Sequence, residues 1–205
     1  MEELTIFLAA LIGFTHAFEA DHLVAVSSLV TRRDRIDMAM KDGAFWGLGH
    51  TSTILLIGMV VILGRAAIPD SVFGYLEGVV GLMLILLGLG RLYSAYQNRA
   101  RLAALVDHSH SHGLAYGVGL VHGLAGSGAL ILIVLAQVEG IWNGLLYLLV
   151  FGLGSVVGML LAAGALSLPF SRKVLQRPAL QYGLVIASGL LCVGYGGFVL
   201  FENLA

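Results

Sequence analysis

The chain has 205 residues, 59% of them hydrophobic and only 11% charged, with a mean hydropathy of +0.94. Soluble domains carry about 25% charged residues, so this composition excludes an ordinary water-soluble domain and points to an integral membrane protein. A formal net charge of −1 with no long basic run gives no footing for nucleic acid, and the single cysteine, Cys192, excludes a disulfide framework, a CxxC redox motif and a thiolate zinc site. Cys192 reads as a small apolar packing residue.

Six apolar segments reach spanning length, about 20 residues for about 30 Å of hydrocarbon. They cover 4–30, 43–63, 71–93, 113–138, 141–168 and 178–201. The first is expected to stay in the mature protein, because Glu2 and Glu3 stand where a signal peptide would be basic. The predicted fold is all-α: one polytopic transmembrane domain over residues 1–205.

Orientation follows from lysine and arginine, which are retained in cytoplasmic loops. Arg32, Arg33, Arg35, Lys41, Arg91, Arg99, Arg101, Arg172, Lys173 and Arg177 mark one face, and only Arg65 marks the other. The expected location is the cell membrane, multi-pass, with both termini external. Trp46 and Trp142 are expected near the lipid interface, as aromatics at helix ends tend to be.

An internal repeat is visible in glycine and histidine. Gly13-Phe-Thr-His16 superimposes on Gly119-Leu-Val-His122, Gly47-Leu-Gly-His50 on Gly152-Leu-Gly-Ser155, and Gly88 on Gly196. Three helices make an odd unit, so the halves run in opposite orientation: repeat 1 over about 1–97, a cytoplasmic loop over about 98–112, and repeat 2 over about 113–205. Inverted repeats with broken helices meeting near the midplane are a plan of secondary transporters.

The chemistry concentrates in His16-Ala17-Phe18-Glu19-Ala20-Asp21-His22, inside the first apolar run. An ionisable group at the bilayer centre costs roughly 2.5–3.5 kcal/mol on insertion scales, so four within seven residues call for a ligand. At 1.5 Å per residue, His22 and His50 lie roughly 12 Å, and His122 roughly 13 Å, from the cytoplasmic helix ends; His16 lies one to two turns further out. On a regular helix His16, Glu19 and His22 share one stripe, while Asp21 falls nearly opposite Glu19. Either the helix is distorted around Ala20 and Asp21, or Asp21 orients a histidine from another helix. Imidazole and carboxylate without thiolate suit Ni²⁺, Co²⁺, Zn²⁺ or Mn²⁺. The candidate metal residues are therefore His16, Glu19, Asp21, His22, His50 and His122.

Two further tracts are notable. Gly117, Gly119, Gly123, Gly126 and Gly128 crowd the fourth segment, where they either permit close helix packing or break the helix toward an ion. His108, His110 and His112 alternate with serine, which in an extended chain puts three imidazoles on one side as an auxiliary metal site in the loop.

His16-X4-Asp21-His22 reproduces a signature of the nickel/cobalt transporter family, and Leu48-Gly49-His50-Thr51-Ser52 is similar to that family's second motif. Length and helix count resemble its short, urease-accessory (UreH-like) branch, as does the segment His122-Gly-Leu-Ala-Gly-Ser-Gly128. The resemblance implies secondary transport of Ni²⁺ or Co²⁺, with His16, Asp21, His22 and His50 as the matched positions. Two features differ: the motif stands in the first apolar segment, and Glu19 is not part of the signature. The expected partners are the divalent ion and the bilayer, with a homo-oligomer compatible, no prosthetic group and no enzymatic activity. An exporter of the same fold is one alternative, and a b-type haem protein, ligated by paired histidines, is another. A metalloprotease lacks its His-Glu-x-x-His.

Overall fold

Hydrocarbon cannot hydrogen-bond a backbone, so apolar segments of this length must satisfy their own amides, and the helix is the local solution. The computed structural model describes residues 3–64, 70–97, 112–138, 140–170 and 178–204. Among these, every regular element is helical: α1 (Glu3–His16), α2 (Ala20–Val30), α3 (Ile36–Gly64), α4 (Asp70–Gln97), α5 (Gly113–Gln137), α6 (Ile141–Ser167, extended by a 3₁₀ turn at Leu168–Phe170) and α7 (Pro178–Leu204). Gly140, at φ 87°, supplies the left-handed residue that starts α6.

Among the described residues, four helical stretches are long and apolar enough to cross a membrane: Ile36–Gly64, Gly74–Gln97, Ile141–Phe170 and Ala179–Leu204. Thr5–His16 and Ala20–Val30 are shorter apolar helices, and Gly113–Ala125 is the first part of α5. The expected single first span is in fact two helices. Phe18 and Glu19 donate back to Thr15 and His16 at 3.0 and 3.1 Å, and Glu19 then turns extended at ψ 156°. This tight turn ends α1 and lets α2 restart at Ala20. The alternative break, in the glycine-rich fourth segment, is absent, since α5 runs unbroken from Gly113 to Gln137.

Large apolar side chains face outward while a group of polar side chains is buried among the core, as suits a lipid solvent. Leu56, Phe7, Phe201 and Trp142 are well exposed, whereas His22, His50, His122, Ser155, Arg33, Asp42 and Arg91 are buried. Trp142 is exposed at the start of α6, but Trp46, expected at the interface, is not. Helix α3 starts at Ile36, seven residues before the expected boundary, so Trp46 lies well inside it and is fully buried. The charged first turns are tolerated because Arg33 pairs with Asp42 and Arg35 with Asp37.

Helix α3 packs between α5 and α6, α1 packs on α6, and α4 packs on α7. Small residues permit these close approaches. A methyl group on Gly13 would lie 2.0 Å from the Phe151 carbonyl oxygen, and one on Gly119 would lie 2.1 Å from that of Trp46. Helix α2 lies among α3, α4, α6 and α7, and its C-terminal end is held by Arg91, whose Nε donates to Thr31 Oγ1 at 2.7 Å and whose Nη2 donates to the Thr31 carbonyl. Cys192 is buried, 3.2 Å from the Val24 carbonyl, in the packing role expected of it.

Candidate metal centre

The turn at 17–19 brings the two ends of the seven-residue motif together. His16 closes α1, His22 lies in the first turns of α2, and their rings are 4.5 Å apart, centroid to centroid. His50, midway along α3, stands 5.3 Å from each. His122 from α5 packs 4.2 Å from His22 and 6.3 Å from His50. His22, His50 and His122 are fully buried, and the His16 side chain is nearly so.

Carboxylates fix which ring nitrogens can bind an ion. A carboxylate accepts only, so each ring nitrogen facing one carries the proton, leaving a lone pair on the other. His16 Nδ1 donates to Glu19 Oε1 at 2.9 Å, His22 Nδ1 to Asp21 Oδ1 at 2.9 Å, and His122 Nε2 to Asp21 Oδ2 at 2.8 Å. The opposite nitrogens, His16 Nε2, His22 Nε2 and His122 Nδ1, are buried without a hydrogen-bond partner, as are both nitrogens of His50. Leaving a buried polar atom unpaired costs about 1–3 kcal/mol. A bound cation would satisfy the lone-pair nitrogens among them, one of the two in His50.

Among the described residues, two ligand triads can be drawn. His16, His22 and His50 offer nitrogens within 4.8 Å of one another, and so do Asp21, His22 and His122 with nitrogen and oxygen. A transition metal with ligands at about 2.0–2.1 Å needs them ~3–4 Å apart, so the first triad needs only a small contraction. In the second, the protons now shared with Asp21 would have to leave. Glu19, at 58% side-chain exposure, lies at the open edge of the cluster, whereas Asp21 is largely enclosed.

Of the residues expected at a metal site, His16, Glu19, Asp21, His22, His50 and His122 are thus brought to one place. The auxiliary tract is not described as a unit. His108 and His110 lie outside the described residues, and His112, expected in an aqueous loop, immediately precedes α5 with Nδ1 2.6 Å from Asp42 Oδ1 and its ring stacked on Phe45. Sequence reading missed Trp46, whose ring lies 5.5 Å from His22 and 5.7 Å from His122, and whose Nε1 is buried without a partner. Its signal was available: Trp46 precedes His50 by four residues, one helical turn on the same face.

Comparison with known proteins follows the same lines. The chain is 37% identical over 181 residues to urease accessory protein UreH of Bacillus sp. (strain TB-90), a match covering 80% of this chain and 76% of that protein. The chain belongs to the UreH family. It is also 35% identical over 75 residues to the cobalt transport protein NhlF of Rhodococcus rhodochrous, covering 35% of this chain and 20% of NhlF. The Arabidopsis thaliana chloroplast protein FOR GROWTH AND FERTILITY 2 is 26% identical over 190 residues, 86% of this chain and 50% of that one. The chain therefore spans three quarters of UreH but only half and a fifth of the other two. No family model and no solved structure matches it. The resemblance to nickel/cobalt transporters, in their urease-accessory branch, is borne out by the UreH and NhlF matches together.

Proposed function

We propose that this UreH-family membrane protein carries Ni²⁺ or Co²⁺ across the cell membrane through the His16–His22–His50 centre. The observation that carries the reading is the convergence of buried, unpartnered imidazole nitrogens from three helices, with Glu19 and Asp21 holding the opposite nitrogens of two of them. A carboxylate behind a ligating histidine fixes its tautomer and raises its basicity. Three imidazoles and no thiolate suit Ni²⁺ and Co²⁺, and NhlF is named for cobalt transport.

The ion approaches past Glu19, exchanges water for imidazole nitrogen at His16, His22 and His50, and is held where the bilayer alone would exclude it. Asp21 and Glu19 supply negative charge that balances the dication in a low-dielectric site. Binding must remain reversible for transport, and a site whose donors are mainly neutral imidazoles serves that.

The fold we assign to this activity is six membrane segments in two inverted repeats, α1–α2 with α3 and α4 against α5, α6 and α7, both termini external. Packing supports it in matched pairs. Gly13 approaches the Phe151 carbonyl as Gly119 approaches that of Trp46, and Gly154 approaches that of Ala10 as Gly49 approaches that of Tyr116. Helices α3 and α6, like α4 and α7, pack on their own counterparts. The third correspondence is kept in the same way: Gly88 approaches the Gly189 carbonyl as Gly196 approaches that of Gly81. Movement of one repeat against the other would expose the centre to each side in turn.

The test is reconstitution. Purified protein in vesicles should bind Ni²⁺ or Co²⁺ and move it down a gradient, and His22→Ala should abolish both while leaving folded protein. Wild-type binding and flux in His22→Ala would overturn the reading.

A further inference from the structure

Beyond the histidine centre, the basic end of the bundle holds a second buried group of ion-binding chemistry. Arg33, in the connection before α3, donates to Asp42 through Nε at 2.6 Å and Nη2 at 3.2 Å; His112, preceding α5, donates to the same carboxylate through Nδ1 at 2.6 Å. Arg33 and Asp42 are each 5% exposed. Phe45 covers the imidazole, ring on ring at 4.9 Å and 13°.

The position of this cluster sets it apart from a simple tie between helix ends. Asp42, Trp46 and His50 recur every four residues, so they form one face of α3, and all three are buried. Along that face Asp42 lies eight residues, ~12 Å, from His50, with Trp46 between them against His22 and His122. The pairing at His112 repeats that of the centre: carboxylate on Nδ1, which leaves Nε2 as the lone-pair nitrogen, as at His16 and His22. The two helices that carry His50 and His122 are the two joined here.

We propose that Asp42 and His112 form a second station for the transported divalent ion, kept shut by Arg33. The proposal rests on the transport reading above. Arg33 presents a fixed positive fork to the carboxylate a metal ion would use, so it stands in for the ion and closes this end. An ion leaving the centre past Trp46 competes for Asp42 with twice the charge; it displaces the guanidinium from the carboxylate and takes the place of the His112 Nδ1 proton, which leaves to water, and losing both ties frees the α3–α5 junction to open.

The experiment is Co²⁺ and Ni²⁺ binding stoichiometry and vesicle flux of the full chain. Arg33→Gln should bind one ion per chain more than the wild type, and Arg33→Gln with Asp42→Asn should return to the wild-type number. Asp42→Asn alone should keep wild-type binding at the centre and lose at least tenfold in flux. An unchanged stoichiometry in Arg33→Gln overturns the proposal. Should Arg33→Gln not yield folded protein, Asp42→Asn decides alone, and flux at the wild-type level overturns it. No binding by the wild type or any variant would instead overturn the transport reading, and this proposal with it.

Discussion

Asp21 on α2 reaches across to His122 on α5, its Oδ2 taking a hydrogen bond from Nε2 at 2.8 Å while its Oδ1 takes one from His22. One carboxylate thereby sets the tautomers of two imidazoles, one its neighbour in sequence and the other 101 residues away from it. It ties α2 to α5 beside the histidine cluster.

Asp21→Asn removes the charge and, through its amide donors, scrambles both tautomers. Losing such a partner costs about 10–100-fold in metal affinity, so Ni²⁺ or Co²⁺ binding by titration calorimetry should weaken by at least tenfold with folded protein retained. Unchanged affinity would mean that Asp21 only braces the helices.

Glu19→Gln should be milder than Asp21→Asn. Glu19 is more than half exposed, so water replaces much of what it gives His16. The expected result is a fall in affinity of less than about tenfold, measured in the same titration. An effect larger than that of Asp21→Asn would make Glu19 a direct ligand.

Protons and metal compete for the same lone pairs at His16, His22 and His50. Binding requires these nitrogens unprotonated, so affinity should fall as pH falls and recover as it rises, with protons released on loading. Titration in two buffers of different ionisation enthalpy counts those protons. Binding that strengthens toward acid pH would remove imidazole from the ligand set.

Gly13→Ala and Gly119→Ala should both destabilise, because each methyl would meet a backbone carbonyl at about 2 Å, whereas Gly117→Ala faces open space. Overpacking of this kind costs ~1–3 kcal/mol, read as a lower melting temperature in detergent for the first two and none for the third. Equal tolerance at all three positions would contradict the tight α1–α6 and α3–α5 seams.

Topology reporters placed after Gln97 and after Leu204 should report opposite compartments, the first cytoplasmic. The prediction comes from ten of eleven cationic residues on one face. The same compartment for both would remove the inverted repeat.

The sequence by itself determined that this is an all-helical membrane protein and that its intramembrane histidines and carboxylates are concentrated at His16–His22, with His50 and His122 at matching depth. Both follow from composition: apolar runs of this length must be helices in lipid, and ionisable groups in them are too costly to be incidental. The seven-residue motif even carried its own contradiction, since no straight helix could aim His16, Glu19, Asp21 and His22 at one place. Which resolution holds was a matter of tertiary structure: the chain breaks after His16, and Asp21 turns to a histidine from another helix. Tertiary structure likewise moved Trp46 from the lipid interface into the centre and fixed His112 on Asp42, because helix ends extend where buried charges find partners, and no local pattern encodes a partner 70 residues away. Periodicity gives each side chain a face; only packing decides what that face meets.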